Sequence, residues 1–173
     1  EYGYALSLHA EHQTEEALRL TQQGLSKNPF DKRLLLLASQ LSYELHDEQK
    51  AEDYLLKAKD NAEDLEEIAL RLSNLYLEQE RFDEVLKFEE QDIDNVLTKW
   101  NIARAYQALE QTTAALERYR LLLSDLKENP EFLEQYIYLL REMGDFEEAK
   151  HQAEHHLHLV PDDVEMQELY DSL

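Results

Sequence analysis

The amino-acid sequence predicts an all-α protein built from successive pairs of helices. Its 173 residues include only three glycines and three prolines, too few turn formers for a β-sandwich, a barrel or a glycine-rich phosphate loop. Apolar residues recur at helical spacing, as in Leu133, Tyr136, Ile137 and Leu140. Hydrophobic residues make up 43% of the chain, which is enough for a packed core and argues against disorder.

Helical spacing and the signals for helix ends predict eleven segments. They cover residues 2–11, 14–27, 31–45, 48–60, 64–78, 82–91, 94–108, 112–127, 131–143, 146–159 and 163–172. For the last segment, Asp162 is predicted to accept backbone N–H groups, with Glu165 three residues later. The whole chain is therefore expected to be helical, with short connections.

A small residue recurs at one place in successive helix pairs. The positions are Ala17, Ala51, Val85, Ala115 and Ala149, at spacings of 34, 34, 30 and 34 residues. A small side chain lets two helices approach closely, where leucine would hold them apart. Since no single pair can bury its apolar stripe alone, the pairs are expected to stack.

This pattern resembles the tetratricopeptide repeat (TPR) family, whose helix–turn–helix unit has a period of about 34 residues. The bulky and small residues of its first-helix motif match Tyr4-Ala5, Ala38-Ser39, Leu72-Ser73, Ile102-Ala103 and Tyr136-Ile137. Pro29 and Pro161 stand where the family has its closing proline, and Gly144 supplies a turn between paired helices. The resemblance implies a right-handed superhelical solenoid of antiparallel helix pairs, with about eleven helices.

The same resemblance implies a single domain over residues 1–173. Its repeats are expected at 1–31, 32–65, 66–95, 96–129 and 130–163, with a capping helix over 163–172. Because the sequence has no initial methionine, we expect it to be part of a longer protein.

The third repeat is irregular, because the spacing between Val85 and Ala115 falls to 30 residues. An acidic run, residues 89–94, occupies the place where its second helix should end. One interpretation is a shortened helix and a tighter corner. The other is that this corner changes the superhelical path and exposes a distinct surface patch.

Charge excludes several classes of partner. The chain carries 39 acidic and 17 basic residues, a net charge of −22, which opposes binding to nucleic acid or to an anionic membrane. It has no cysteine, which fits a reducing compartment, and we expect a cytoplasmic location. An acidic surface also leaves open a regulator that sequesters a basic partner.

The sequence predicts no enzyme, no catalytic residue and no cofactor. His151-Gln152-Ala153-Glu154-His155 matches the H-x-x-E-H pattern of some zinc peptidases, and both histidines lie on one helical face. A catalytic zinc needs a third ligand and a cleft, so solvated histidines are expected, with adventitious metal binding as the alternative. Carboxylates are abundant, but they occupy faces expected to be solvated.

In TPR proteins the first helices of successive repeats line a concave groove. Carried onto this chain, the resemblance implies an inner row of side chains in which three arginines and three glutamates nearly balance, and a smaller set in and beside that row is predicted to bind the partner. The predicted residues are Tyr43, Leu70, Arg71, Asn74, Leu77, Trp100, Asn101, Arg104, Tyr138 and Arg141. The two-carboxylate clamp of chaperone-binding TPR domains needs lysine, arginine and asparagine at set places, and the matching positions do not supply them.

Trp100, the only tryptophan, is predicted to project into the groove beside Leu70, Asn74 and Arg104 as an anchor. The alternative for Trp100, and for Tyr43 and Tyr138, is packing between neighbouring helices. The sequence thus predicts a non-enzymatic scaffold that binds a peptide or partner protein in its groove. The alternative is a structural module that self-associates, as a homodimer, through the ends of the stack or its acidic outer face.

Overall fold

The computed structural model describes residues 13–173, and the predicted helix over residues 2–11 lies outside them. Within the described residues the chain forms ten α-helices and one 3-10 helix, without a strand. The helices are α1 Thr14–Lys27, α2 Lys32–Glu44, α3 Glu48–Lys59, α4 Glu66–Glu78, α5 Phe82–Leu86, α6 Val96–Ala108, α7 Thr112–Leu126, α8 Pro130–Glu142, α9 Phe146–Leu159 and α10 Val164–Ser172, with the 3-10 helix Lys87–Glu90 after α5. The predicted all-α class is confirmed.

The chain divides into two compact units, one ending at Arg81 and the other spanning Phe82–Leu173. In the first, α2 packs against both α1 and α3. In the second, α6 packs against α7, and α8 against α9. The prediction of a single continuous repeat domain stays a prediction.

The small residues lie where the helices of each unit meet. Ala17, Val85, Ala115 and Ala149 have no exposed surface, and Ala51 is 1% exposed. Helix axes can approach closely there because no long side chain intervenes. The sequence interpretation of these positions is confirmed.

The core of the second unit is rich in aromatic rings. Phe132, Tyr119 and Tyr136 are buried and pack on one another, with ring centroids 5.3 Å apart for Tyr119 and Phe132 and 6.1 Å apart for the stacked tyrosines. Burial raises the pKa of Tyr119 to about 12. In the described part of the first unit, the large side chains that are fully buried are aliphatic, namely Leu35, Leu41, Ile68 and Leu72.

The irregular third repeat does have a shortened second helix. α5 contains five residues, and the chain then tightens into the 3-10 helix before Gln91 takes an extended conformation with φ −96° and ψ 150°. The predicted helix over residues 82–91 is therefore an α-helix only as far as Leu86.

One predicted helix start is displaced by a residue. Asp163, not Asp162, is the N-cap of α10, and its carboxylate accepts the Met166 backbone N–H at 2.9 Å. Met166, not Glu165, is thus the third residue of the helix, and the capping box predicted here does not form.

Over residues 13–173, no helix combines the length and the hydropathy that crossing a bilayer requires.

Candidate functional site

The ten predicted partner-binding residues divide equally between the two units. Those in the first unit are Tyr43, Leu70, Arg71, Asn74 and Leu77. Those in the second unit are Trp100, Asn101, Arg104, Tyr138 and Arg141.

In the first unit, α2 and α4 form the walls of an open cleft of about 290 Å³, hereafter the α2–α4 cleft. Its lining residues are Ser39, Gln40, Tyr43, Leu55, Arg71, Asn74, Leu75 and Glu78. Three predicted residues are therefore brought together, namely Tyr43, Arg71 and Asn74. Leu70 and Leu77 are half-buried and are not part of this lining.

Helical periodicity explains why these side chains share the cleft. On α4, Arg71, Asn74 and Glu78 are spaced by three and four residues, so they lie on one face. On α2, Gln40 and Tyr43 are three residues apart and also share a face. The floor is apolar, because Leu55 and Leu75 are buried beneath the polar walls.

A hydrogen bond joins the two walls. The Tyr43 hydroxyl donates to Glu78 Oε2 at 2.6 Å, and Tyr43 keeps 43% of its surface exposed. This bond to a carboxylate, with burial as a lesser cause, raises the pKa of Tyr43. The phenol therefore stays a neutral donor at physiological pH and fixes the width of the cleft at this point.

Arg71 is held in place by two acceptors. Its Nη2 donates to Glu67 Oε1 at 2.8 Å, and its Nη1 donates to the Leu36 carbonyl at 3.3 Å. A guanidinium has five N–H donors, so these two bonds leave others to be directed at a ligand. Arg71 is thus a pre-positioned cation in the wall.

Asn74 and Gln40 give the cleft two exposed side-chain amides. An amide can donate to a peptide carbonyl and accept from a peptide N–H at once. With an arginine, a carboxylate and an apolar floor alongside, the cleft has the groups needed to hold a short stretch of polypeptide.

Five of the eight lining residues were not among the predicted site residues, namely Ser39, Gln40, Leu55, Leu75 and Glu78. The signal for Glu78 is present in the sequence, since it lies four residues after Asn74 on the same helical face. Ser39 has a structural role, because its hydroxyl donates to the Ala51 carbonyl at 2.8 Å and ties α2 to α3.

In the second unit, Trp100 packs in the core. It is 6% exposed, contacts Phe132 edge-on with ring centroids 5.8 Å apart, and its Nε1 donates to Gln135 Oε1 at 2.9 Å. This placement is the packing alternative given for Trp100 above. A role in partner binding for it stays a prediction.

The remaining residues of this set are arranged around aromatic rings. The Arg104 guanidinium lies 5.6 Å from the Trp100 ring centroid, and that of Arg141 lies 5.0 Å from the Tyr138 centroid. Arg141 is exposed, Arg104 and Tyr138 are half-buried, and Asn101 is 3% exposed. Arg104, Tyr138 and Arg141 therefore have surface for a partner, while Asn101 has almost none.

The histidines of the H-x-x-E-H pattern border a separate open cleft of about 350 Å³ on α9. His155 Nε2 lies 3.0 Å from the Lys127 carbonyl oxygen and 3.5 Å from Glu128 Oε1. Over residues 13–173, no group of three histidine or acidic side chains is placed to hold a metal ion.

The sequence is similar to proteins with tetratricopeptide repeats. Residues 97–163 match the family of YpiA-like, C-terminal tetratricopeptide repeats. The TPR repeat-containing protein YpiA of Bacillus subtilis (strain 168) is 24% identical over 147 residues, which cover 83% of this chain. The chain spans 35% of the length of this curated relative.

Solved structures share the fold at low sequence identity. YrrB, a TPR protein described as having an unusual peptide-binding site, aligns with a TM-score of 0.71 and 13% identity over 98% of this chain and 89% of its own. MamA of Desulfovibrio magneticus RS-1 aligns with a TM-score of 0.76 and 15% sequence identity over 94% of both chains. PilF of Pseudomonas aeruginosa aligns with a TM-score of 0.77 and 14% sequence identity over 91% of this chain and 74% of its own.

Proposed function

We propose that this chain is a non-enzymatic scaffold of tetratricopeptide repeats that binds an extended peptide of a partner protein in the α2–α4 cleft, as its family match and its fold support. The observation that carries the proposal is the convergence of Tyr43, Arg71 and Asn74 on one cleft with an apolar floor. YrrB, which is similar in fold, is described as having a peptide-binding site, and this supports a peptide as the class of ligand.

The chemistry of the walls indicates how a peptide is held. Gln40 Nε2 donates to Glu44 Oε1 at 3.1 Å, which leaves the Gln40 oxygen and its second N–H for main-chain groups of the peptide. Every peptide has such groups, so this contact supplies affinity without strong sequence preference, and the Asn74 amide beside it lies within the same lining. Arg71 favours a carboxylate, which gives selectivity for an acidic side chain or a chain end. Small apolar side chains of the peptide reach the floor formed by Leu55 and Leu75.

The test is binding of peptides selected against the purified 173-residue chain from a random display library. We expect Asn74→Ala and Arg71→Ala each to weaken binding by about tenfold, the effect of one good hydrogen bond. Matched controls are Gln23→Ala and Arg19→Ala, which remove an exposed amide and an exposed arginine on α1, away from the cleft. Equal losses in variants and controls, or no loss in either, would exclude the α2–α4 cleft as the binding site.

Self-association is a second candidate function, favoured by an exposed apolar side chain on the last helix. Val164, at the start of α10, is 68% exposed. Sedimentation velocity at several protein and salt concentrations separates the two functions. A dimer that dissociates in Val164→Ser favours self-association, whereas a monomer throughout removes it.

A further inference from the structure

The shortened helix α5 leaves a second cleft, on the second unit. The second helices of other repeats, α3, α7 and α9, have 12, 15 and 14 residues, whereas α5 has five. At the point where the chain leaves the helical path, an open cleft of about 530 Å³ lies between the following corner and α6 and α7. We call it the corner cleft. Its lining residues are Phe88, Glu89, Gln91, Ile93, Asp94, Val96, Lys99, Ile102, Arg118, Leu121, Leu122 and Asp125.

The corner cleft has an apolar interior and an exposed leucine at its border. Phe88, Ile93, Ile102 and Leu122 are each less than a tenth exposed. Leu121, on the same border, is 78% exposed. An isobutyl group left in water beside buried apolar side chains is a favourable contact point for a further apolar side chain.

The wall of the corner cleft is held firmly. The Glu89 carboxylate accepts a hydrogen bond from the Tyr106 hydroxyl and one from Arg118 Nε at 2.6 Å. The Arg118 guanidinium also lies 4.0 Å from the Tyr106 ring centroid. These bonds attach the 3-10 helix to α6 and α7, so the cleft is formed before any partner arrives.

Charge selects the partner. Residues 82–94 contain six acidic residues and one lysine, and Asp125 adds an exposed carboxylate on α7. The two cations of the lining are engaged by the corner itself, Arg118 with Glu89 and Lys99 with Asp94 at 2.6 Å. Each of these pairs also neutralises one carboxylate, so the lining, with three acidic and two basic side chains, keeps one net negative charge, on Asp125. Together with the acidic corner, this charge attracts basic side chains and repels acidic ones.

We propose that the corner cleft is a second docking site, which binds a basic amphipathic helix of a partner protein. A helix suits this place because the chain's own helix stops there, so a helical segment can lie against α7 and cover Leu121. An apolar side chain of that helix contacts Leu121 and Leu122, and a lysine or arginine side chain faces Asp125. The proposal concerns a different surface from the α2–α4 cleft and stands without it.

The test uses synthetic helical peptides of about 15 residues with leucine on one face and lysine on the other. Fluorescence anisotropy measures their binding to the 173-residue chain. We expect saturable binding that weakens with salt, and binding about tenfold weaker for the same peptide with glutamate in place of lysine. Equal binding of the lysine and glutamate peptides would overturn the charge argument.

Matched variants locate the site. Leu121→Ser and Asp125→Lys are each expected to weaken the lysine peptide about tenfold, the effect of one buried apolar side chain or one close ion pair. Leu56→Ser on α3 and Glu168→Lys on α10 make matching changes at exposed positions outside the cleft and are expected to change affinity less than about twofold. All four side chains are exposed, so circular dichroism and thermal unfolding should match the wild type.

Two results would contradict the proposal. Equal losses in Asp125→Lys and Glu168→Lys would mean that the peptide binds the acidic surface without a defined site. A dimer of the chain alone, dissociated by Leu121→Ser and not by Leu56→Ser, would assign the corner cleft to a second copy instead of a basic helix.

Discussion

Glu52 is a carboxylate held almost out of solvent in the first unit, at 6% exposure. Arg81 donates to it twice, through Nη1 at 2.7 Å and Nη2 at 3.0 Å, and the Tyr76 hydroxyl donates at 3.2 Å. The Arg81 guanidinium also lies 4.4 Å from the Tyr76 ring centroid. This group ties α3 and α4 to the turn after α4, and the bond from Arg81 is the main reason that the pKa of Glu52 is lowered.

We expect Glu52→Gln to lower the free energy of unfolding by about 1–3 kcal/mol, because Arg81 loses a charged acceptor. The loss is limited to this range because the Arg81 guanidinium is partly exposed and can still be hydrated. The folded-state pKa of Glu52 lies below its ordinary value of 4.5, so its contribution is complete above that value and is lost as pH falls through the folded pKa. The stability difference between wild type and variant should therefore shrink from about pH 7 to about pH 3 in urea unfolding. A difference that is constant with pH would contradict this role.

Individual site residues were only partly predictable. Tyr43, Arg71 and Asn74 followed from their places in the repeat, because helical periodicity fixes which side chains share a face. Trp100 did not, since the sequence supports groove and core equally until the partner of its indole N–H, Gln135, is known. Glu52 gave no signal either, because a carboxylate on a second helix is usually solvated.

At the scale of helices and turns, four turns between residues 13 and 173 place one residue in the left-handed region. Gly144 has φ +79°, as expected for the glycine of this turn, but His46, Glu80 and Glu110 have φ values of 61°, 56° and 58°. Side chains with a Cβ atom are strained in this conformation by about 1–2 kcal/mol. Three of the four turns therefore have a residue that is not ideal for its backbone.

Glu110→Gly is expected to raise the free energy of unfolding by about 0.5–1 kcal/mol, by removing this strain. Gly144→Ala should lower it by about 1 kcal/mol through backbone strain alone, since a Cβ there meets nothing within 4 Å. Glu117→Gly, in the exposed middle of α7, is the control and should destabilise by about 1 kcal/mol. If Glu110→Gly destabilised the chain like this control, the strain argument would be wrong.

The helices and the glycine turn at Gly144 were predictable from the sequence, whereas the left-handed turns without glycine were not. Apolar spacing and the five small residues determine which segments are helical, and the helix bounds differ from prediction by at most two residues outside the third repeat and the helix over 2–11. The 30-residue spacing correctly signalled a shortened helix. The left-handed turns at His46, Glu80 and Glu110 have no glycine to announce them, and two adjacent aspartates could not be told apart as the N-cap of α10.

At the scale of the whole molecule, the net charge of −22 is divided unevenly among surfaces. The α2–α4 cleft contains Arg71 and Glu78 and is balanced, whereas the mouth of the corner cleft is acidic. The two clefts therefore suit partners of different charge. One selects by hydrogen bonding to a peptide, and the other by attraction of a basic helix.

The central claim is that a partner peptide occupies the α2–α4 cleft. The most direct measurement is mapping of backbone amide chemical shifts in the ¹⁵N-labelled chain as a library-selected peptide is added. The prediction is that shift changes concentrate at residues 39–43 and 71–78, and that they are smaller in Asn74→Ala at the same sub-saturating peptide concentration. Saturable binding with unchanged shifts at these residues, and with changes confined to other parts of the chain, would contradict the claim.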